Sequence, residues 1–162
     1  MKKFLCVFFA LFTLTLTGCS GKEVYRGDGY EFSYNAKKWE LGFEDEDDIF
    51  FNYKGFAFTN FNVFRYTTKE SVSLNERLER SKEFCETNDY TWVSGEILSN
   101  GGMEWGREEY QMESQGFVIK YVDFFTYSGM YTYSIFFSSD ADNFDECIKD
   151  FEEVFYSFKI TK

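Results

Sequence analysis

The sequence predicts an α+β fold in which an antiparallel β-sheet of about six to seven strands is flanked by two main helices. Short segments alternate between apolar and polar residues and are separated by turn signals, as in antiparallel strands. Two other segments repeat apolar residues at the spacing of a helix. Aromatic residues make up 23% of the chain, with 22 Phe and 12 Tyr. Such residues favour strands and bury large areas, so we expect them to fill and cover the sheet.

Segments with the alternation of a strand lie on both sides of the first helix. An aromatic hairpin and two further strands are predicted before it, after a lead-in at 23–29. Turn signals at 100–102, 115–116 and 128–129 separate the strands that follow it. The predicted strands are Tyr30–Tyr34, Trp39–Phe43, Ile49–Tyr53, Ala57–Tyr66, Trp92–Ser99, Met103–Glu113, Phe117–Tyr127 and Met130–Ser138.

The first helix has clear start and stop signals. Ser73 and Glu76 form the Ser-x-x-Glu pattern of a capping box. The residues that recur at helical spacing after this cap form one face, and Asn88 is the predicted stop. That face consists of Leu74, Leu78, Ser81 and Cys85.

The second helix is strongly amphipathic, and Asp140 or Asp142 is its predicted cap. Glu146, Asp150 and Glu153 lie opposite its apolar face. Such a helix must cover a sheet or a partner, and we expect it to cover the sheet of its own domain. The apolar face consists of Phe144, Cys147, Ile148, Phe151, Val154, Phe155 and Phe158.

The N-terminal segment has the order of a secretory signal. Lys2 and Lys3 precede an apolar run at 4–17, and small residues follow it. The run is shorter than the about 20 residues that a membrane-spanning helix needs.

The residues Leu16-Thr17-Gly18-Cys19 resemble the lipobox of bacterial lipoprotein precursors. In that family a signal peptidase cuts before the cysteine, here between Gly18 and Cys19, and the thiol carries a diacylglycerol. The resemblance implies a signal peptide at 1–18, a lipidated tether at 19–24 and a single domain at 25–162. It also implies that lipid at Cys19 holds the protein at the extracytoplasmic face of the cell membrane. The assignment of 25–162 to one domain rests on length, because the chain that remains after 1–18 has the usual size of a single domain.

The net charge and the missing residue types limit the function classes. The formal net charge is −11, and loss of 1–18 with its two lysines would lower it to −13. A chain this acidic is repelled by nucleic acid and by anionic lipid headgroups. The chain contains no histidine, which removes Ser-His and Cys-His nucleophilic pairs and metal sites that use histidine.

An acidic run of five residues follows the predicted hairpin and is the candidate metal site. Carboxylates are ligands that hard cations such as Ca²⁺ prefer. The run lacks the alternating ligands and the glycine of a calcium-binding loop, so a solvated loop is the favoured interpretation. Its members are Glu44, Asp45, Glu46, Asp47 and Asp48.

Cys85 and Cys147 lie on the apolar faces of the two predicted helices. An extracytoplasmic location permits a disulfide between them. Two separate buried thiols are the favoured alternative, because helices on opposite sides of a sheet cannot bring the Cα atoms within about 7 Å.

The order of the predicted elements resembles that of the PsbP/Mog1-like superfamily, including its small bacterial lipoproteins. The residues that carry the resemblance are Gly29–Tyr34, Trp39, Ser73-Leu74, Gly102–Trp105 and Asn143–Lys159. The chain departs from the family by lacking the proline that commonly precedes the tryptophan. The resemblance implies an antiparallel sheet flanked by helices that serves as a binding or accessory module, with no shared catalytic residues.

The leading hypothesis is therefore a lipid-anchored, non-catalytic binding module that engages another envelope protein, without a cofactor. The alternative is a small-ligand or cation-binding lipoprotein associated with a transporter, which requires a cavity of at least about 300 Å³. An enzyme would have to use carboxylates alone, and we do not expect one. The carboxylates available for that third hypothesis are Glu104, Glu108, Glu109 and Asp123.

Overall fold

The computed structural model describes residues 21–45, 48–68, 72–114 and 116–161. Their secondary structure consists of strands and two helices, α1 (Leu74–Thr87) and α2 (Ala141–Ser157). The strands, in chain order, are β1 (Lys22–Gly27), β2 (Tyr30–Asn35), β3 (Trp39–Glu44), β4 (Asp48–Tyr53), β5 (Asn60–Thr67), β6 (Tyr90–Asn100), β7 (Met103–Ser114), β8 (Phe117–Ser128), β9 (Tyr131–Asp140) and β10 (Lys159–Ile160).

The strands form two sheets, and every pairing is antiparallel. The main sheet has seven strands in the order β3-β4-β5-β9-β8-β7-β6, and the small sheet has three in the order β1-β2-β10. The α+β prediction with two helices is thus confirmed. The separate small sheet was not predicted, because its pairing joins residues from the two ends of the chain.

Two predicted boundaries differ from those in the structure. The lead-in at 23–29 overlaps β1, which starts at Lys22, so the last three residues of the predicted tether belong to the small sheet. The strand predicted from Ala57 begins only at Asn60. Phe58 has a φ of 66°, a left-handed conformation that an extended strand cannot contain.

Helix α2 covers one face of the main sheet, which we call the α2 face. The rings of Phe155 and Phe124 stack with centroids 3.8 Å apart, and those of Phe151 and Phe137 lie 4.8 Å apart. All four side chains are almost fully buried. Asp140 caps the helix, since its carboxylate accepts a hydrogen bond from the Asn143 backbone N–H at 3.0 Å.

The small sheet covers the rest of the α2 face. Phe32 of β2 contacts Phe61 of β5 edge-to-face at 5.9 Å. Phe158, directly after α2, stacks on Tyr30 and Phe32 and meets Trp105 edge-to-face. One aromatic core therefore joins both sheets and α2.

Helix α1 lies on the opposite face of the main sheet, over β6 and β7. It begins after Ser73, whose hydroxyl accepts a hydrogen bond from the Glu76 backbone N–H at 3.1 Å, and it ends at Asn88, as predicted. Only Leu78 and Cys85 of this helix are buried. None of the helices in the described part of the chain is long and apolar enough to cross a membrane.

We predict that Phe155→Ala lowers the free energy of unfolding by about 3–5 kcal/mol, because it leaves a cavity in the core. The neighbouring Tyr156 is 61% exposed, and Tyr156→Ala in the same helix should cost less than about 1 kcal/mol. Urea denaturation followed by circular dichroism measures both values. Equal losses for the two variants would contradict the assigned core.

Candidate functional site

The two faces of the main sheet are covered differently, and this difference defines the candidate site. Side chains alternate between the faces along each strand. Phe124 meets α2, whereas its neighbours Asp123 and Phe125 meet Arg77 of α1. The second face, which we call the α1 face, has a helix over β6 and β7. Neither of the two described helices lies above the remaining part of this face, on β4, β5 and β9.

A buried charge cluster lies beneath α1. Glu108 of β7 and Asp123 of β8 are direct cross-strand neighbours, and each is 6% exposed. Arg77 reaches down from α1, and its Nη2 donates to Asp123 Oδ2 at 3.2 Å. Its guanidinium also lies 3.9 Å from the centre of the Phe125 ring. The Ser134 hydroxyl donates to Asp123 Oδ1 at 2.6 Å, so Asp123 has partners on both oxygens.

Glu108 has fewer hydrogen-bond partners for its carboxyl oxygens than Asp123. Its Oε2 is buried without a hydrogen-bond partner among the described residues. Burial, reinforced by the charge of Asp123, raises the pKa of Glu108 to about 7, while a hydrogen bond with Ser81 and the charge of Arg77 act in the opposite direction. Burial also raises the pKa of Asp123, against the effect of Arg77 and Ser134. The cluster thus holds two carboxyl groups against one guanidinium, which favours retention of a proton.

The four carboxylates of the enzyme hypothesis do not form one site. Glu108 and Asp123 come together, but α1 covers them. Glu104 is exposed, and Glu109 pairs with Arg107 at 3.0 Å, on the α2 side of the sheet. In this arrangement the buried pair attaches a helix and is not open to a substrate.

A concave region opens beside the cluster, between α1 and the sheet. Its volume is about 250 Å³, below the roughly 300 Å³ of an ordinary small-molecule site. A larger concave volume of about 420 Å³ lies on the outer side of α1, where charged side chains alone line it. Neither combines apolar walls with convergent polar groups at the size that the ligand-binding alternative requires. The smaller one is lined by Tyr66, Thr68, Val72, Arg77, Arg80, Tyr127 and Thr132.

The described carboxylates of the acidic run do not converge. Glu44 accepts a hydrogen bond from the Tyr25 hydroxyl at 2.6 Å, and Asp48 accepts one from the Asn62 amide at 3.3 Å. Asp45 accepts from the backbone N–H of Asp48 at 3.0 Å. Among the residues that the structure describes, no group of three or more potential ligands could hold a metal. Glu46 and Asp47 lie outside them, as do Gly18 and Cys19 of the predicted lipobox.

Cys85 and Cys147 are both free and buried. Cys85 belongs to α1 and Cys147 to α2, so the main sheet separates the two thiols. The disulfide alternative is therefore wrong for this structure, and two separate thiols are present. Burial raises the pKa of the Cys147 thiol to about 11, which makes it a poor nucleophile.

The uncovered part of the α1 face carries aromatic rings and amides, and we call it the open face. Its register runs from Phe136 of β9 to Asn62 of β5 and then to Phe50 of β4. All its side chains are half-buried, because they shield one another and no helix covers them. The open face consists of Phe50, Asn52, Asn60, Asn62, Phe64 and Phe136.

The aromatic surface continues from the open face towards α1. The ring of Phe136 lies 5.6 Å from that of Tyr121, which stacks on Tyr110 at 5.1 Å. A hydrogen bond of 3.1 Å from Ser138 fixes the amide of Asn60. Gly42 of β3 has no side chain, and a Cβ there would approach Phe50 to 2.9 Å and Asn52 to 2.5 Å. The neighbouring strand thus leaves room for two side chains of the open face.

Neither the charge cluster nor the open face was predicted from the sequence. One signal was present for the cluster, because Asp123 interrupts the apolar run from Val122 to Phe125. A charged residue within an apolar strand needs a buried partner. No comparable signal existed for the open face, since phenylalanines alternating with asparagines fit a covered strand equally well.

Comparison with known proteins supports the fold and leaves the function open. No protein-family model and no curated protein matches the chain. Solved structures do match it over most of its length. The chain is similar to cyanobacterial PsbP (CyanoP) from Synechocystis sp. PCC 6803, with a TM-score of 0.65 and 17% identity, covering 93% of this chain and 98% of that one. The fold is PsbP/Mog1-like.

Two further PsbP/Mog1-like neighbours have described roles. The Ran-binding protein Mog1p of Saccharomyces cerevisiae matches with a TM-score of 0.60 and 6% identity, covering 89% of this chain and 97% of that one. LpqN of Mycobacterium tuberculosis, described as involved in cell envelope biogenesis, matches with a TM-score of 0.58 and 10% identity, covering 82% and 83%. At sequence identities this low, the structural similarity shows a shared fold and does not show a shared function.

We predict that Arg77→Met lowers the free energy of unfolding by about 3–5 kcal/mol, because it leaves Asp123 buried without its charged partner. The double variant Arg77→Met/Asp123→Asn should lose less, since both charges are gone. Chemical denaturation at pH 7 measures the three proteins. The control is Arg80→Met, whose pair with Glu76 is more than half exposed on the arginine side, and it should cost less than about 1 kcal/mol. A double variant less stable than Arg77→Met would contradict the pairing.

Proposed function

We propose that this protein is a lipid-anchored, non-catalytic binding module that acts outside the cytoplasm and engages another protein of the cell envelope. The observation that carries the proposal is the open face, a row of half-buried aromatic and amide side chains that neither described helix covers. Surface rich in aromatic rings and amides is typical of protein interfaces. The six side chains themselves are uncharged, although the carboxylate of Asp48 borders them and accepts a hydrogen bond from the Asn62 amide. They fit a partner surface that is rich in apolar and uncharged polar groups.

The position of the chain entry supports the proposed anchor. The described chain enters the fold through β1, which belongs to the small sheet on the α2 face. The open face is on the opposite side of the main sheet. A lipid at Cys19 would therefore lead into the covered side of the domain and leave the open face available to a partner.

The described neighbours are compatible with this proposal. Mog1p is named as a Ran-binding protein, and LpqN is described as involved in cell envelope biogenesis. One PsbP/Mog1-like protein thus binds another protein, and one serves the envelope. The resemblance of Leu16–Cys19 to a lipobox supports the part of the proposal that attaches the protein to a membrane.

We predict that the protein fractionates with membranes and that Cys19→Ala releases it. Two or three acyl chains anchor a protein firmly, since each buried methylene contributes about 0.8 kcal/mol. Expression of both forms in a bacterium with lipoprotein processing, followed by detergent partitioning, measures this. A Cys19→Ala protein that stays with the membrane would show that the anchor is not this thiol.

We predict that Asn62→Arg abolishes capture of the partner by cross-linking of intact cells, because it places a charge in the centre of the open face. A loss of affinity of at least about tenfold corresponds to 1.4 kcal/mol. The matched control is Met130→Arg, which adds the same side chain at a turn position that is 62% exposed. Quantitative mass spectrometry compares the proteins recovered with each form. Equal recovery with both variants would remove the open face from the proposal.

A further inference from the structure

The two helices are attached to the main sheet by different forces. Helix α2 buries five side chains, three of them phenylalanines, in the aromatic core. Helix α1 buries only Leu78 and Cys85, and its Arg77 bonds to Asp123 below. A helix with few buried apolar contacts separates from a domain at a lower free energy than the domain needs to unfold.

The groups that face Glu108 come from each element around it. From α1 they are Arg77, Ser81 and Cys85, and from β8 it is Asp123. Tyr110, on β7 itself, lies close enough to interact electrostatically with both carboxylates. Arg77 is the cation in this set, and its Nη2 is bonded to Asp123. The Oε2 of Glu108 has no hydrogen-bond partner among the described residues.

We propose that α1 is a pH-dependent cover, which lifts from the sheet as Glu108 releases its proton to solvent and closes over the Glu108–Asp123 pair when that proton returns. The proton leaves the Glu108 carboxyl for bulk water, and the carboxylate that remains is hydrated in the open state. With the cover closed, a charged Glu108 would lack both water and a partner for Oε2. Opening therefore lets water hydrogen-bond to the Oε2 of Glu108.

The direction of the pH dependence follows from the two states. Burial raises the pKa of Glu108 from its ordinary value of 4.5 to about 7 in the closed state. In the open state it returns to the ordinary value, so opening releases a proton between pH 4.5 and 7. Rising pH favours opening across this window and has no further effect above it. Each unit is a factor of ten, so over the window from 4.5 to 7 the open population can rise by up to roughly 300-fold.

An open cover would change the surface of the protein. Asp123, Phe125, Glu108 and Tyr110 would join the open face, which Tyr121 and Phe136 already connect to the covered strip. This inference goes beyond the proposed function and does not depend on it, because the opening needs no partner.

The chain contains a reporter for the opening and a matched control. Cys85 is 2% exposed on the side of α1 that faces the cluster. Cys147 is 0% exposed on α2, across the sheet. A thiol reagent reacts with a buried cysteine only after the segment that covers it opens. The ratio of the two reaction rates therefore separates opening of α1 from unfolding of the domain.

The test measures modification of both cysteines in the full chain between pH 4.5 and 8.5 with 4,4′-dithiodipyridine, resolved by peptide mass spectrometry. Rates are divided by those of the same cysteines in the denatured chain, which removes the ordinary pH dependence of a thiol. We expect the corrected Cys85 rate to rise by up to roughly 300-fold to about pH 7 and then level off. The Cys147 rate should not follow it.

Two variants locate the response. Glu108→Gln keeps the shape and cannot ionise, so its corrected Cys85 rate should lose the part of the rise that Glu108 causes. Any residual rise comes from Asp123, whose pKa burial also raises, and should be smaller than the rise in the wild type. Glu104→Gln changes an exposed carboxylate of the same strand and should keep the wild-type response. A flat wild-type rate, a parallel rise at Cys147, or an unchanged response in Glu108→Gln would each overturn the proposal. If Glu108→Gln does not fold, hydrogen exchange of the wild type replaces it. Exchange of the α1 amides, corrected for the intrinsic effect of pH, should rise relative to that of the α2 amides across the same pH window. An equal change in both helices would overturn the proposal.

Discussion

The stacking of α2 on the main sheet is the interaction on which the rest of the structure depends. The rings of Phe155 and Phe124 lie parallel, with centroids 3.8 Å apart. Phe158 continues the contact beyond the end of the helix and meets Tyr30 and Phe32 of the small sheet. Since β10 then pairs with β2, the last strand of the chain closes the first hairpin onto the core. Ends of the chain that are far apart in sequence are thus held in one aromatic layer.

That layer covers only one face of the main sheet. On the other face, charged and polar groups make the main contacts with the helix. Beneath α1 lie two buried carboxyl groups and one half-buried guanidinium. The desolvation of buried charged groups offsets much of the free energy that their attraction contributes. The cluster therefore fixes the position of α1 on the sheet more than it adds to the stability of the fold. The aromatic core therefore supplies most of the stability, while α1 is held to its face by few buried apolar side chains and by polar groups.

The open face and the cover lie on the same side of the sheet, and tyrosines connect them. Tyr110 and Tyr121 stack between the charge cluster and Phe136. Any change in the position of α1 would therefore extend or restrict one continuous aromatic surface. The chain enters the fold on the opposite side, through β1. The open face, helix α1 and the entry of the described chain are in this way distributed over the two sides of a domain with the PsbP/Mog1-like fold.

Local patterns in the sequence were sufficient to predict most of the elements. The Ser73 cap and the apolar faces of both helices, the turn glycines and the alternation along the strands all depend on residues that are close in sequence. Extension of the small sheet by β10 was beyond such patterns, because Lys159 and Ile160 are only two residues long and pair with β2 across the whole chain. The same limit applied to the start of β5, where the positive φ of Phe58 ends an alternation that looked continuous.

The amino-acid sequence by itself determined the fold class, the acidic surface, the absence of histidine chemistry and the resemblance to a lipobox at Cys19. Only the tertiary structure decided that Cys85 and Cys147 stay apart, because the two helices take opposite faces of the sheet. It also decided which of 28 acidic residues meet, by placing Glu108 opposite Asp123. The physical reason is that strand register and the choice of face are set by packing across the whole sheet, and no local run of residues contains that information.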